Sequence, residues 1–303
     1  MDRRLFIKIL FSSLLTPTFL FSNEYNKTKA ILKKIPKSEE YIASIGMGTW
    51  LTFDIGYNTK KIKQRAEILK LFFNSGGQVI DSSPMYGTSE KVIGKSLKHI
   101  DNYKNLFAAT KVWTPNKWHG KKQLGNSRNY WGVQKFELLQ VHNLLNYEEH
   151  LETLYDLKKN GHLKYIGVTT SHGSRHKKLE FIMKNYELDF VQLTYNILDR
   201  EAENYLLPLA KEKRIAVIAN RPFKGGSLFN YIENENLPSL AKDIGIKSWA
   251  EYFLKFVISN ETITCAIPAT SKINHMKQNM QALYGNILTN RDRDKLHKFF
   301  INI

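Results

Sequence analysis

Phe136-Glu137-Leu138-Leu139-Gln140-Val141-His142, then Glu148–Lys159, then Tyr165-Ile166-Gly167-Val168-Thr169: this stretch decides the fold. Two short runs rich in Val, Ile and Leu bracket a longer segment in which charged and apolar residues alternate at helical spacing. Nearly continuous apolar runs of this length are the mark of parallel strands covered on both faces. The same alternation extends outward in both directions. Further candidate strands are Ser44–Trp50, Gln78–Ser82, Leu106–Val112, Phe190–Tyr195, Ile215–Asn220 and Thr262–Ile267, and helix-like segments include Lys60–Asn74 and Ala202–Lys213. Eight strands alternating with helices over about 260 residues predict an α/β protein with a closed (β/α)8 TIM barrel. An open doubly wound sheet would carry a G-x-G-x-x-G loop after its first strand. The chain instead reads Leu51-Thr52-Phe53-Asp54-Ile55-Gly56 there, which argues against that topology.

The chain has 303 residues, 42% of them apolar and 24% charged, in keeping with one barrel domain over residues 23–303 after a short extension. Lys and Arg number 45 against 28 Asp and Glu, a net charge of +17. The basic residues are spread along the chain, with Lys33-Lys34, Lys121-Lys122, Lys158-Lys159 and Lys177-Lys178 as isolated pairs. With no zinc-finger, RRM or KH pattern, the expectation is a solvated basic surface and no nucleic-acid partner. The lone Cys265 excludes an intrachain disulfide and a four-cysteine metal site, so no metal is expected, and its apolar surroundings mark it as core.

Residues 1–22 read differently. Arg3 and Arg4 precede an apolar stretch from about Leu10 to Phe21, too short to span a bilayer. The pattern is that of a signal peptide. Arg3-Arg4-Leu5-Phe6-Ile7-Lys8 resembles the twin-arginine export signal, which implies the twin-arginine export machinery as a partner, a periplasmic location and no membrane span after processing. An uncleaved N-terminal anchor or an ordinary Sec signal is the alternative.

Barrel active sites gather at the C-terminal ends of the strands. The second strand ends in Asp81, with Tyr86 five residues on; the third ends in Thr110-Lys111-Val112 and the fourth in Val141-His142-Asn143. Asp81, Tyr86, Lys111 and His142 are therefore expected at one mouth. A phenol with a reference pKa of about 10 gains acidity beside an ammonium, a carboxylate keeps that ammonium charged, and a neutral imidazole can orient a carbonyl. Such a set can protonate an oxygen while hydride reaches the carbon.

Gly46-Met47-Gly48-Thr49-Trp50, Asp81-Ser82-Ser83-Pro84-Met85-Tyr86-Gly87, Ala109-Thr110-Lys111-Val112 and Leu139-Gln140-Val141-His142-Asn143 together resemble the aldo-keto reductase family. Tyr165-Ile166-Gly167-Val168-Thr169 and Ile267-Pro268-Ala269-Thr270-Ser271-Lys272 are similar too. The resemblance implies an NADP-dependent oxidoreductase acting on small carbonyl substrates. By it, Tyr86 is the proton donor, Lys111 and Asp81 tune it, His142 orients the carbonyl, and Trp50 and Trp113 line the substrate pocket. Thr169, Thr170 and Gln192 match positions that hold the nicotinamide amide. Asn220, Arg221, Gly225 and Gly226 match the loop over the pyrophosphate, and Thr270, Ser271, Lys272, His275 and Asn279 match the adenosine-phosphate end. A hydroxyl pair, a lysine and a cationic His275 would suit a 2′-phosphate, favouring NADPH (NADP+).

Three positions depart from the family pattern. Thr169-Thr170 stands where Ser-Asn is frequent, Asn220 where an aromatic stacks on the nicotinamide, and His275 where an arginine binds phosphate. Residues 116–130, with four basic side chains beside Trp118 and Tyr130, are expected as a basic loop near the pocket. A weakly active or non-catalytic NADP-binding redox-sensing subunit is the alternative function.

Overall fold

The computed structural model describes residues 29–303; the export-signal expectation lies outside them. The described residues open with a hairpin, β1 (Leu32–Lys34) against antiparallel β2 (Tyr41–Ala43). It continues through β3 (Met47–Gly48), α1 (Thr59–Asn74), β4 (Val79–Asp81), α2 (Ser89–Leu97), β5 (Phe107–Val112), α3 (Lys117–Trp131), β6 (Phe136–His142), α4 (Tyr147–Lys159) and β7 (Leu163–Thr169). There follow α5 (His176–Asn185), β8 (Phe190–Thr194), α6 (Leu206–Glu212), β9 (Ala216–Asn220), α7 (Ser239–Asp243), α8 (Trp249–Ile258), β10 (Ile263–Ala266), α9 (Ile273–Gln281) and α10 (Asn290–Ile301).

Strands β3 to β10 form one eight-stranded sheet in sequential parallel order. The sheet closes through parallel bridges Ile45↔Ala266 and Gly48↔Ala269 and the hydrogen bond from Gly46 N to Ala266 O at 2.8 Å. This is the expected (β/α)8 barrel. The first strand is shorter than Ser44–Trp50 because its N-terminal half pairs only with the last strand, one bridge at a time.

Two apolar layers hold the barrel. Inward-facing Val79, Phe107, Leu138, Tyr165, Phe190, Ala216 and Cys265 pack inside it together with Ile35 and Ile42 of the hairpin. Their outward neighbours, such as Ile80, Ala108, Leu139, Ile166, Val191 and Val217, pack beneath the helices. Phe107, Tyr165 and Phe190 form a ring cluster with centroids 5.4–6.1 Å apart. The Tyr165 hydroxyl donates to Glu40 at 2.7 Å, so the hairpin turn plugs the N-terminal end of the barrel. Cys265 is buried there, its thiol pushed up by desolvation.

Residues 117–131 correct one expectation. They form α3, a barrel helix rather than a loop over the pocket. Asn116 caps it by accepting from His119 N, and Gly132 in the left-handed region (φ 70°) ends it. Helix α2 crosses it so closely that a Cβ on Gly94 would lie 1.9 Å from the Tyr130 carbonyl. The segment expected as helix Ala202–Lys213 starts at Leu206, which puts Pro208 in the first turn, where its missing N–H costs nothing.

Candidate active site

Strand alternation delivers the site. Along β4, Val79 faces inward, Ile80 outward and Asp81 inward; along β5 the inward residues are Phe107, Ala109 and Lys111. On β6 they are Leu138, Gln140 and His142, and on β8 Phe190 and Gln192. The lower positions are apolar and the upper ones polar, so a period of two turns each strand's last inward residue into a site residue. Neighbouring registers, Lys111↔Gln140 and Thr169↔Gln192, set these side chains level.

Lys111 is fully buried. Its Nζ donates to Asp81 Oδ2 at 2.5 Å and to the Ser82 carbonyl at 2.7 Å, and the ammonium lies beside Tyr86. Lys111 Nζ lies 5.0 Å from the Tyr86 ring centroid. Burial pulls the Lys111 pKa down, but Asp81 and Tyr86 outweigh it and hold the ammonium above its ordinary value. Burial pushes the Tyr86 phenol up, assisted by Asp81 and opposed by Lys111, and the net direction is up. The sequence alone suggested a phenol made more acidic by Lys111; in the structure desolvation wins.

His142 stands edge-on to Tyr86, ring centroids 5.6 Å apart at 85°. Burial, then Lys111 and Arg175, press its pKa to about 3, so the imidazole is neutral. Its Nδ1 lies 2.8 Å from Ser83 Oγ, which also accepts from Met85 N at 3.2 Å. Trp50 and Trp113 are 50% and 40% exposed at the same rim, suited to meeting a ligand. The backbone of Trp113 is clamped by the Gln123 amide at 2.7 and 2.9 Å.

Asp81 Oδ1 accepts from two buried amides, Gln140 Nε2 at 3.1 Å and Gln192 Nε2 at 2.9 Å. Gln192 Oε1 in turn accepts from Thr169 Oγ1 at 3.1 Å and Asn220 Nδ2 at 3.3 Å. Asn220 also donates to the Thr170 carbonyl at 2.8 Å. One polar network thus runs from the lysine to the end of β9. Gln140 was missed by sequence reasoning, although its inward place two residues before His142 was the available signal. Ser83 was missed because it follows its strand in a loop, where facing direction is not periodic.

The remaining positions line the upper ends of β7, β9 and β10. Arg221 (φ 51°), Gly225 (φ 70°) and Gly226 (φ 97°) form a loop of left-handed residues, and a Cβ on Gly226 would meet open space. The Arg221 carbonyl accepts from Asn196 Nδ2 at 3.1 Å. Thr270 and Asn279 are buried, while Ser271, Lys272 and His275 are exposed at the start of α9. Partial burial and Lys272 hold His275 below the ordinary imidazole value. Three buried polar atoms among these positions have no partner in the protein: Thr170 Oγ1, Arg221 Nε and Asn279 Nδ2.

A second buried carboxylate, Glu90, lies outside this pocket. It accepts from Thr110 Oγ1 at 2.6 Å, Ser127 Oγ at 2.8 Å and Trp131 Nε1 at 3.2 Å, joining α2 and α3 to the outer face of β5.

The model of the Aldo/keto reductase family matches residues 44–298, and the chain belongs to that family. It is 22% identical over 297 residues to an uncharacterized oxidoreductase of Bacillus subtilis, YqkF, covering 86% of this chain and 93% of that one. It is 26% identical over 259 residues to the NADH-specific methylglyoxal reductase of Escherichia coli, covering 75% and 78%. The aldo/keto reductase of Klebsiella pneumoniae, solved in complex with NADP and acetate, shares the fold with a TM-score of 0.73 at 21% identity, covering 86% and 93%.

Proposed function

We propose that this oxidoreductase reduces an aldehyde or ketone to the alcohol with NADPH, Tyr86 giving the proton. The observation that carries the proposal is Lys111 Nζ, held between Asp81 and Tyr86 beside a neutral His142. Two of the ammonium protons are spent on Asp81 and the Ser82 carbonyl, and the phenolic O–H of Tyr86 is the group that can donate into the pocket. The bound cofactor would supply hydride from C4 of its nicotinamide. The residues present fit such a group. The unpartnered atoms of Thr170, Arg221 and Asn279 are what a dinucleotide would satisfy, and the loop at Gly225 and Gly226, with no side chain in the way, leaves room for phosphate. Ser271 and Lys272, beside the free amides at the start of α9, suit a 2′-phosphate. NADP or NADPH complexes among the solved family members support the same cofactor here.

His142 orients the carbonyl through Nε2. A Ser83 hydroxyl donating to Nδ1 leaves the proton on Nε2, the tautomer that can donate to a carbonyl oxygen. Ser83→Ala is expected to lower kcat/KM by about fivefold, the worth of one net hydrogen bond. Nitrogen NMR of His142 should find Nδ1 unprotonated in the parent protein and a tautomer mixture in the variant. A protonated Nδ1 in the parent would refute the assignment.

Titration with NADPH and NADH, followed by NADPH oxidation over a panel of small aldehydes and ketones, tests the main reading. Tighter NADPH binding with turnover is expected. NADPH binding without turnover across the panel would leave the redox-sensing reading instead. We also propose twin-arginine export to the periplasm on the strength of Arg3-Arg4 and the apolar stretch after them. Mass spectrometry of the native protein should find a mature N-terminus near residue 23; an intact chain in the cytoplasm would refute export.

A further inference from the structure

The net charge is less evenly spread than the scattered lysine pairs suggest. Residues 57–131 carry 14 Lys and Arg against 4 Asp and Glu, a net +10 of the chain's +17. Two of those four acids, Asp81 and Glu90, are buried, leaving Glu67 and Asp101 to face 12 exposed or half-exposed basic side chains, of which Lys117 also pairs with Glu152 of α4 at 3.0 Å. By contrast, residues 171–214, which include α5 and α6, carry 8 basic and 7 acidic residues.

These charges fall on one flank, because α1 packs on α2 and α2 on α3. Aromatic rings stand out of it. Trp118 is 67% exposed, Tyr57 63% and Tyr130 38%, and lysines hold them. Lys95 Nζ lies 4.5 Å from the Tyr57 ring, Lys91 Nζ 4.6 Å from the Tyr130 ring, and Lys122 Nζ 5.6 Å from the Trp118 ring. The flank borders the pocket rim through the Trp113–Gln123 clamp.

We infer that the α1–α2–α3 flank docks the enzyme on an anionic lipid surface, its lysines on headgroup phosphates and its Tyr and Trp rings at the interface. Amphipathic rings with neighbouring lysines match the headgroup level of a bilayer. A lysine near an anionic surface contributes about fivefold in affinity, so a dozen make a multivalent patch. Nucleic acid is less suited, since no zinc-finger, RRM or KH pattern accompanies these basic residues.

The full chain would be sedimented with vesicles of phosphatidylcholine, with or without phosphatidylglycerol, at rising salt. The quantity read is the phosphatidylglycerol-dependent part of binding, compared between variants that share the same N-terminal segment, so that any contribution from Arg3, Arg4 and Lys8 is common to all. Lys95→Gln/Lys121→Gln/Lys122→Gln is expected to weaken it by about 100-fold, while Lys177→Gln/Lys178→Gln/Lys213→Gln, with the same loss of net charge, changes it less than about fivefold. Salt should weaken the parent most. Equal losses in the two variants, no dependence on phosphatidylglycerol, or tighter binding to duplex DNA at the same salt would each overturn the proposal.

Discussion

Tyr86→Phe is expected to lower kcat for carbonyl reduction by about 10²–10⁴-fold, the usual worth of a positioned general acid, with the Kd for NADPH changed by less than about threefold. The substitution removes one oxygen and keeps the ring, so the edge contact with His142 at 5.6 Å persists. What disappears is the hydroxyl of the ring that lies beside the buried ammonium of Lys111. Steady-state kinetics and fluorescence titration separate the two quantities. Turnover within tenfold of the parent would remove Tyr86 from the reaction.

The pH dependence follows from the same pair. Reduction needs the protonated phenol, and burial holds the Tyr86 pKa above its ordinary value near 10. The proton is therefore in place throughout the neutral range and is lost only on the alkaline side. His142 gains a proton only near pH 3. Reduction should accordingly be flat across neutral pH and fall at strongly alkaline pH, while oxidation of the product alcohol, which needs the phenolate, should rise there. A reduction rate that halves near pH 7 would contradict this order.

Fold and tetrad were legible because both rest on strand periodicity. A run such as Phe107-Ala108-Ala109-Thr110-Lys111-Val112 announces a buried strand, and its last inward residue follows from a period of two. The hairpin was not legible: Leu32-Lys33-Lys34 is three residues long, exposes Leu32 and Lys34, and shows no apolar run. Helix α3 was hidden for a related reason. It buries only Gly120, Ser127 and Trp131, so no apolar stripe marks it. Its order comes from the Asn116 cap and from Glu90, a partner 37 residues away from Ser127. The hydrogen bonds joining Asp81 to Gln140 and Gln192 cross three strands and have no local signature. Composition likewise concealed the basic flank, because only the packing of α1, α2 and α3 gathers its lysines.

The Asp81–Lys111 pair makes the second large prediction. Both partners are at most 2% exposed, and two charges so placed have lost their hydration and rely on each other. Removing one partner of such a pair typically costs about 3–5 kcal/mol, because the remaining charge stays buried without its counter-ion. Lys111→Met should therefore destabilise the fold by about that amount in chemical denaturation, besides abolishing turnover. The Gln140 and Gln192 amides still donate to Asp81 Oδ1, but neutral donors do not replace an ammonium. Adding Asp81→Asn removes the stranded charge and keeps an amide oxygen for both glutamines. The double variant should recover about half or more of the lost stability while remaining inactive. A double variant whose loss equals the sum of the two single losses would mean that the two charges do not interact, and the argument for Lys111 as a held, protonated partner of Tyr86 would fail with it.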